Sequence, residues 1–373
     1  MPKPLHILIA PLDWGLGHAT RCIPLIRYLL EKQCHVTLAG QGATEILLKS
    51  NFPQLRMLPL AGYGIEYSRS GIFLPMKILT QIPRILKSIS QERAWLQKAQ
   101  DDNQFDLVIS DNRYGLKIKG VPSIILTHQL QIRTGAGFLF DRILRIFHYK
   151  ILESFDACWV VDKKLDGNIG GYLSHPDRLP RNARYIGILS QLSSNLSGDK
   201  TLNGKILVLL SGPEPQRTLL ENLILRQIGC RSKYTYWVVG GIPGRSTPER
   251  VPSGTVYFTH RNADELAELL ASCELVICRS GYSTLMDLAF LGKKALLIPT
   301  PGQSEQLYLA RYLSKNKLFY SQKQSSLDLE SDVTEALTYP GFSRDMSDPP
   351  MQEMKSAIDE IIRDLGCHTD TQT

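Results

Sequence analysis

Short apolar, β-rich runs alternate with helical patterns along most of this chain, and that alternation limits the fold more than any other feature. "HILIAPL" leads into a helix pattern from about Arg21 to Glu31, followed by "HVTLAG", "FDLVISD", "PSIILT" and "ACWVVD". Strands that alternate with helices predict an α/β fold with parallel sheets covered on both faces. The pattern breaks at "SQLSSNLSGDKTLNG", residues 190–204, and resumes with "KILVLLSG", "TYWVVGG", "TVYFTH", "ELVICRSG" and "KALLIPT". The expected architecture is therefore two Rossmann-like, doubly wound domains, 1–189 and 205–350, joined by a linker at 190–204 and facing each other across a cleft. A helix over 351–366 closes the chain and residues 367–373 form a frayed tail. A length of 373 residues suits two domains, each with its own core.

Seven cysteines without a CxxC pair point to a reducing compartment and no structural zinc. The first strand is too short and unflanked for a signal peptide, and no apolar run approaches the roughly 18 residues of a membrane span. A cytoplasmic protein is expected. Its charge is uneven: residues 1–190 hold 24 Lys and Arg against 15 Asp and Glu, a balance of +9, and the remainder is at −2. The first half either faces something anionic or carries a solvated basic surface.

In open α/β sheets ligands sit where strands end and helices begin. The first such loop is "PLDWGLGHATR". Gly15 and Gly17 allow a tight turn, and the following helix offers free N–H groups to an anion. A dinucleotide site is disfavoured: Thr20 replaces the third glycine, and "TLAGQG" lacks the acid that would hold a ribose. His18 is placed to take a proton from a hydroxyl, with Asp13 either orienting it or acting as the base itself; a loop histidine serving the local backbone is the plainer alternative. Arg21, one turn into the helix, reads as a surface charge.

The richest loop is "CRSGYSTLMD", residues 278–287. Arg279 to Ser283 form the expected turn and Thr284 opens a helix whose first N–H groups have no internal acceptors. Ser280, Ser283 and Thr284 add hydroxyls to this positive end, and Gly281 permits a phosphate to approach closely. Asp287 shares the face of Ser283 and Thr284, where a carboxylate can accept from the two hydroxyls of a ribose. The competing explanation is a capping box, Ser283 or Thr284 with Asp287. The next strand runs into "PGQSEQLYLA", whose Gln303, Glu305 and Gln306 can read sugar hydroxyls.

The stretch "CRSGYSTLMDLAFLGKKALLIPTPGQSEQLYLA" resembles the donor-sugar signature of GT-B glycosyltransferases of family 28, related to the bacterial lipid-linked N-acetylglucosaminyltransferase of peptidoglycan synthesis and to diacylglycerol galactosyltransferases. "GLGHATR" and "GVPSIILTHQ" are similar to the family's N-terminal loop and acceptor-side strand. The resemblance implies a UDP-sugar donor: Asp287 on the ribose, Ser280 to Thr284 at the phosphates, Gln306 on the sugar, and the backbone near Ala263 on the uracil. It further implies inverting transfer of N-acetylglucosamine or another hexose to an acceptor hydroxyl, with His18 matching the base. The departures are Leu307 where the peptidoglycan enzyme has a second glutamine, Asp287 in place of the usual Glu, and "SGPEPQR" instead of a glycine-rich loop, although Arg217 can still reach a phosphate there. A UDP-sugar 2-epimerase of the same fold and a non-catalytic nucleotide- or lipid-binding protein are the rival readings.

No DxD motif occurs, so metal-independent catalysis is expected, with the helix dipole and the hydrogen-bond donors of Arg279 to Thr284 stabilising the departing UDP. The segments "GIFLPMKILTQIPRILKSIS" (71–90) and "RTGAGFLFDRILRIFHYK" (133–150) mix apolar residues with Lys77, Arg84, Lys87, Arg142, Arg145 and Lys150. Such segments either lie on an anionic membrane, which suits a lipid-linked acceptor and a peripheral position on its inner face, or are core helices whose cations snorkel. A nucleic-acid partner is not expected, since aromatic interleaving and a known motif are both lacking.

Overall fold

Residues 4–13, 15–63, 74–132, 137–165, 167–192, 202–229, 232–242, 247–248, 250–343 and 351–369 are described in the computed structural model of the chain. They fall into two units, Met1–Leu189 together with Met351–Thr373, and Ser190–Pro350.

In the first unit the strands are β1 (His6–Pro11), β2 (His35–Gly40), β3 (Arg56–Pro59), β4 (Leu107–Asp111), β5 (Ser123–Thr127), β6 (Ala157–Val160) and β7 (Ala183–Tyr185). All pair in parallel, in the order β3-β2-β1-β4-β5-β6-β7. Helices α1 (Leu16–Glu31), α2 (Ala43–Asn51), α3 (Leu74–Asn103) and α4 (Phe138–Leu152) connect them. Leu8, Ala10, Ala39, Leu96 and Val108 belong to one buried cluster of this unit, and Ile125, Cys158 and Val160 to another.

The second unit repeats the plan. Strands β8 (Lys205–Leu209), β9 (Thr235–Val239), β10 (Thr255–Phe258), β11 (Leu275–Cys278), β12 (Ala295–Leu297) and β13 (Tyr320–Ser321) pair in parallel in the order β10-β9-β8-β11-β12-β13. Helices α5 (Gln216–Gln227), α6 (Ala263–Ser272), α7 (Tyr282–Leu291), α8 (Ser304–Lys315) and α9 (Leu329–Leu337) accompany them. Strand order reverses between β1 and β4 in one unit and between β8 and β11 in the other. Loops leaving those strands diverge to opposite faces, which opens a crevice at the carboxyl edge of each sheet.

The final helix, α10 (Gln352–Thr369), packs with the first unit. Met354, Ala357 and Ile358 form its buried face, while Asp359 accepts from the Tyr28 hydroxyl at 2.9 Å and pairs with Lys32 at 2.7 Å. Glu360 meets Arg184 at 2.7 Å. The helix runs three residues past the expected limit of 366, and it is a returning part of the first unit rather than a separate closing element. At the other junction, Ser190 and Leu192 are buried and Leu202 N–H donates to Ser272 O, so both ends of the expected linker are packed into the second unit; residues 193–201 lie outside the described ones.

Candidate active site

At the carboxyl edge of the first sheet, α1 starts at Leu16, five residues earlier than its apolar pattern suggests, with Gly15 as N-cap at φ 77°. A β-carbon at Gly15 would meet nothing, so the left-handed backbone alone selects glycine there. Gly17 lies in the first turn, where its carbonyl accepts from the Thr20 hydroxyl. His18 is the third helical residue and Arg21 lies one turn on, on the same face.

Both side chains meet Asp111, the last residue of β4. Arg21 Nε donates to Asp111 Oδ2 at 2.6 Å, Arg21 Nη2 pairs with Oδ1, and Arg21 Nη1 reaches His128 Nδ1 at 2.8 Å. His18 Nδ1 stands 3.0 Å from Asp111 Oδ1 and 2.9 Å from Arg21 Nη2. The nitrogen can donate to the carboxylate or accept from the guanidinium, but not both. With the proton on Nδ1, Asp111 orients the ring and Nε2 is left as a free base. Burial lowers the His18 pKa, the Asp111 charge opposing it, so the imidazole favours the neutral form that can receive a proton. Burial alone would raise the Asp111 pKa, but Arg21 and His18 overcome it and hold the carboxyl below the usual carboxylate range.

Asp111, rather than Asp13, is thus the residue that orients His18. Asp13 instead stands 3.9 Å from Arg113, a fully buried guanidinium that also binds Glu92 at 3.0 Å and the carbonyls of Pro11 and Ala61. Arg21 is buried, not a surface charge. Asp111 and His128 were missed by sequence reasoning. The available signal was their place: each sits at or just beyond the end of an apolar strand, where ligands gather.

At the carboxyl edge of the second sheet, α7 begins at Tyr282, two residues before the expected Thr284, and its N-cap Gly281 makes no side-chain cap. The capping-box explanation therefore fails. Ser283 and Thr284 occupy the second and third helical positions, half-buried, with no hydrogen bond from either hydroxyl among the described residues. Leu285 is the first residue to close the helix, donating to Gly281 O, so the preceding N–H groups lack helical acceptors. A β-carbon on Gly281 would stand 4.0 Å from Gln306 Nε2. Gln306 accepts the Thr300 N–H through Oε1 at 2.8 Å, which fixes its amide and turns Nε2 toward the Gly281 turn. Gln303 caps α8 through its backbone and Glu305 lies in the first turn of that helix. Ala263 is the first residue of α6, behind a true capping box of Asn262 and Glu265.

Three expected phosphate ligands are committed elsewhere. Arg279 is buried and donates to the carbonyls of Ile298, Pro299 and Gln216, because a guanidinium out of water must find oxygens in the protein. Burial pushes its pKa down to about 10. The Ser280 hydroxyl donates to Gln306 O at 2.8 Å. Arg217 is held by Glu214 at 2.7 Å, Glu221 at 3.1 Å and Gly240 O. These residues brace the loops; the free donors are those of α7.

Asp287 accepts from Ser190 Oγ at 2.6 Å and has no cationic partner among the described residues. Burial pushes its pKa up to about 7, against the pull of that hydrogen bond. No cluster of three or more His, Cys, Asp or Glu side chains is disposed to hold a metal among the described residues.

Two Rossmann-like units, each with a strand order that reverses at a switch point, make up the two-domain GT-B fold. Residues 245–361 match the glycosyltransferase family 28 C-terminal domain. Among curated relatives, the UDP-N-acetylglucosamine--N-acetylmuramyl-(pentapeptide) pyrophosphoryl-undecaprenol N-acetylglucosamine transferase of Albidiferax ferrireducens is 25% identical over 84% of this chain and 78% of its own length. In three dimensions the chain is similar to the glycotransferase of kitacinnamycin (TM-score 0.63, 15% identity, 98% of this chain and 96% of the other). It is also similar to Acinetobacter baumannii MurG (TM-score 0.55, 14% identity, 96% and 100%).

Proposed function

We propose that the protein transfers a hexose, with inversion and without an essential metal, from a UDP-sugar to a hydroxyl of a lipid-linked acceptor. The observation that carries this reading is the α7 terminus: the N–H groups of Ser283 and Thr284 and their two free hydroxyls, one turn from a carboxylate that lacks a cation. In that arrangement the diphosphate lies against the N–H groups, Ser283 and Thr284, and Asp287 accepts from the ribose diol. The backbone at Ala263 meets the uracil, and Gln306 Nε2 and Glu305 meet the sugar.

The acceptor oxygen forms its bond to the anomeric carbon as the bond to the UDP oxygen breaks. The electron pair leaves with UDP, whose growing charge the α7 dipole and hydroxyls stabilise. The acceptor proton passes to His18 Nε2, and Asp111 steadies the resulting imidazolium.

On α4, the exposed Ile143, Ile146 and Phe147 form one face beside the exposed Arg142 and Lys150; on α3, Leu86 is exposed with Arg84 and Lys87. A face of this composition supports binding to an anionic membrane on the cytoplasmic side, where a lipid-linked acceptor would be met. Lys77 lies outside the described side chains. No described helix is long and apolar enough to cross a membrane.

Calorimetric titration with UDP, GDP and NAD tests the donor reading: UDP alone should bind, and Asp287→Ala should lose most of that binding. Equal binding of GDP, or unaltered UDP binding by the variant, would sink it.

A further inference from the structure

We propose that Ser190 is a positioning residue for the donor nucleotide, holding the Asp287 carboxylate in the one orientation that leaves its free lone pairs to a ribose diol. The proposal rests on the reading of Asp287 as the ribose acceptor.

Ser190 is the first residue of the second unit and is 1% exposed. Its hydroxyl carries a single proton, and two contacts decide where that proton goes. Leu192 N–H donates to Ser190 Oγ at 3.2 Å, occupying an acceptor position of the oxygen, while Oγ donates to Asp287 Oδ1 at 2.6 Å. An ionised carboxylate can only accept, so toward it the serine is the donor. One of the two lone-pair positions on Oδ1 is filled, the other and both on Oδ2 stay free, and a diol brings two protons.

Charge makes this hydrogen bond matter more than its geometry suggests. Asp287 meets no charged side chain among the described residues: burial and Ser190 are the influences acting on it. Half-buried without a cation, the carboxyl tends to take up a proton near neutrality. A protonated carboxyl accepts less well and spends one oxygen as a donor. Ser190 favours the charged form, so it keeps the group competent for the diol at a pH where burial alone would neutralise it.

The test is UDP affinity at pH 6.5 and 8.5 for the full chain, Ser190→Ala, Ser190→Thr and Asp287→Ala. Loss of a hydrogen bond to a charged group shifts the balance by about one pKa unit, roughly a tenfold effect. Ser190→Ala should bind UDP more weakly than the parent at both pH values, with the larger loss, about tenfold, at pH 6.5. Ser190→Thr, which keeps the hydroxyl, should restore the parent profile. Ser190→Gly repeats the test if the alanine chain fails to fold. Parent-like affinity of Ser190→Ala at both pH values, or an equal loss at both that threonine does not restore, would overturn the positioning role. If Asp287→Ala itself binds UDP like the parent, the ribose reading has failed instead, and the two outcomes are separate.

Discussion

Asp111 ends β4 in the first unit and Asp287 is the sixth residue of α7, the helix that follows β11 in the second, and electrically they are opposites. Asp111 is clasped by Arg21 and His18, and its pKa falls. Asp287 has only a hydroxyl, and its pKa rises to about 7. One topology thus carries a carboxylate paired with two side chains that can bear positive charge and another that receives one hydroxyl.

Removing the satisfied charge should do the most damage. Asp111→Ala leaves Arg21 buried without its counter-charge, and a loss of about 3–5 kcal/mol in denaturant unfolding is expected, together with loss of transfer. Because the folded pKa of Asp111 is depressed, its contribution is present above the unfolded value near 3.8 and is lost as pH falls through the folded one. Asp111→Ala should therefore flatten the acid limb of the stability profile. Stability unaltered by the variant would erase the contrast with Asp287.

His18→Ala should lower transfer by about 10²–10⁴ while leaving UDP affinity unchanged, as measured by turnover and calorimetry on one preparation. A parallel fall in UDP affinity would mean that the two edges do not divide the work between base and donor. Asp287→Ala should weaken UDP binding by about 1–3 kcal/mol, with folding stability held or improved, the reverse of the Asp111 result. The smallest effects belong to Ser283→Ala and Thr284→Val, about 0.5–1.5 kcal/mol each in UDP affinity. If either equals Asp287→Ala, the hydroxyls and not the carboxylate anchor the nucleotide.

The fold was legible because "HILIAP", "LVISD" and "LVIC" are strands covered on both faces, and burial on both sides writes an unbroken apolar run. β3, β7 and β13, with four, three and two residues of mostly half-buried character, leave no such trace. The start of α1 was hidden by Gly15 and Gly17, which read as loop. Of the site, Ser283, Thr284, Asp287 and His18 were legible from their place after strands. Asp111 was not, since it stands 93 residues from His18 and becomes its neighbour only when β4 pairs with β1. Arg217, Arg279 and Ser280 were read as ligands because a sequence displays donors without the carbonyls and carboxylates that consume them.

The return of α10 to the first unit has a consequence for how the gene can be cut. Along the chain, the second unit is an insertion: Ser190–Pro350 is a continuous piece, whereas the first unit is assembled from both ends of the polypeptide. Ending the chain after Leu189 would strip Tyr28, Lys32 and Arg184 of Asp359 and Glu360 and uncover the apolar face that Met354, Ala357 and Ile358 complete. Isolating the first unit therefore requires splicing Leu189 to Met351, and during synthesis α10 can join that unit only after the whole second unit has been made.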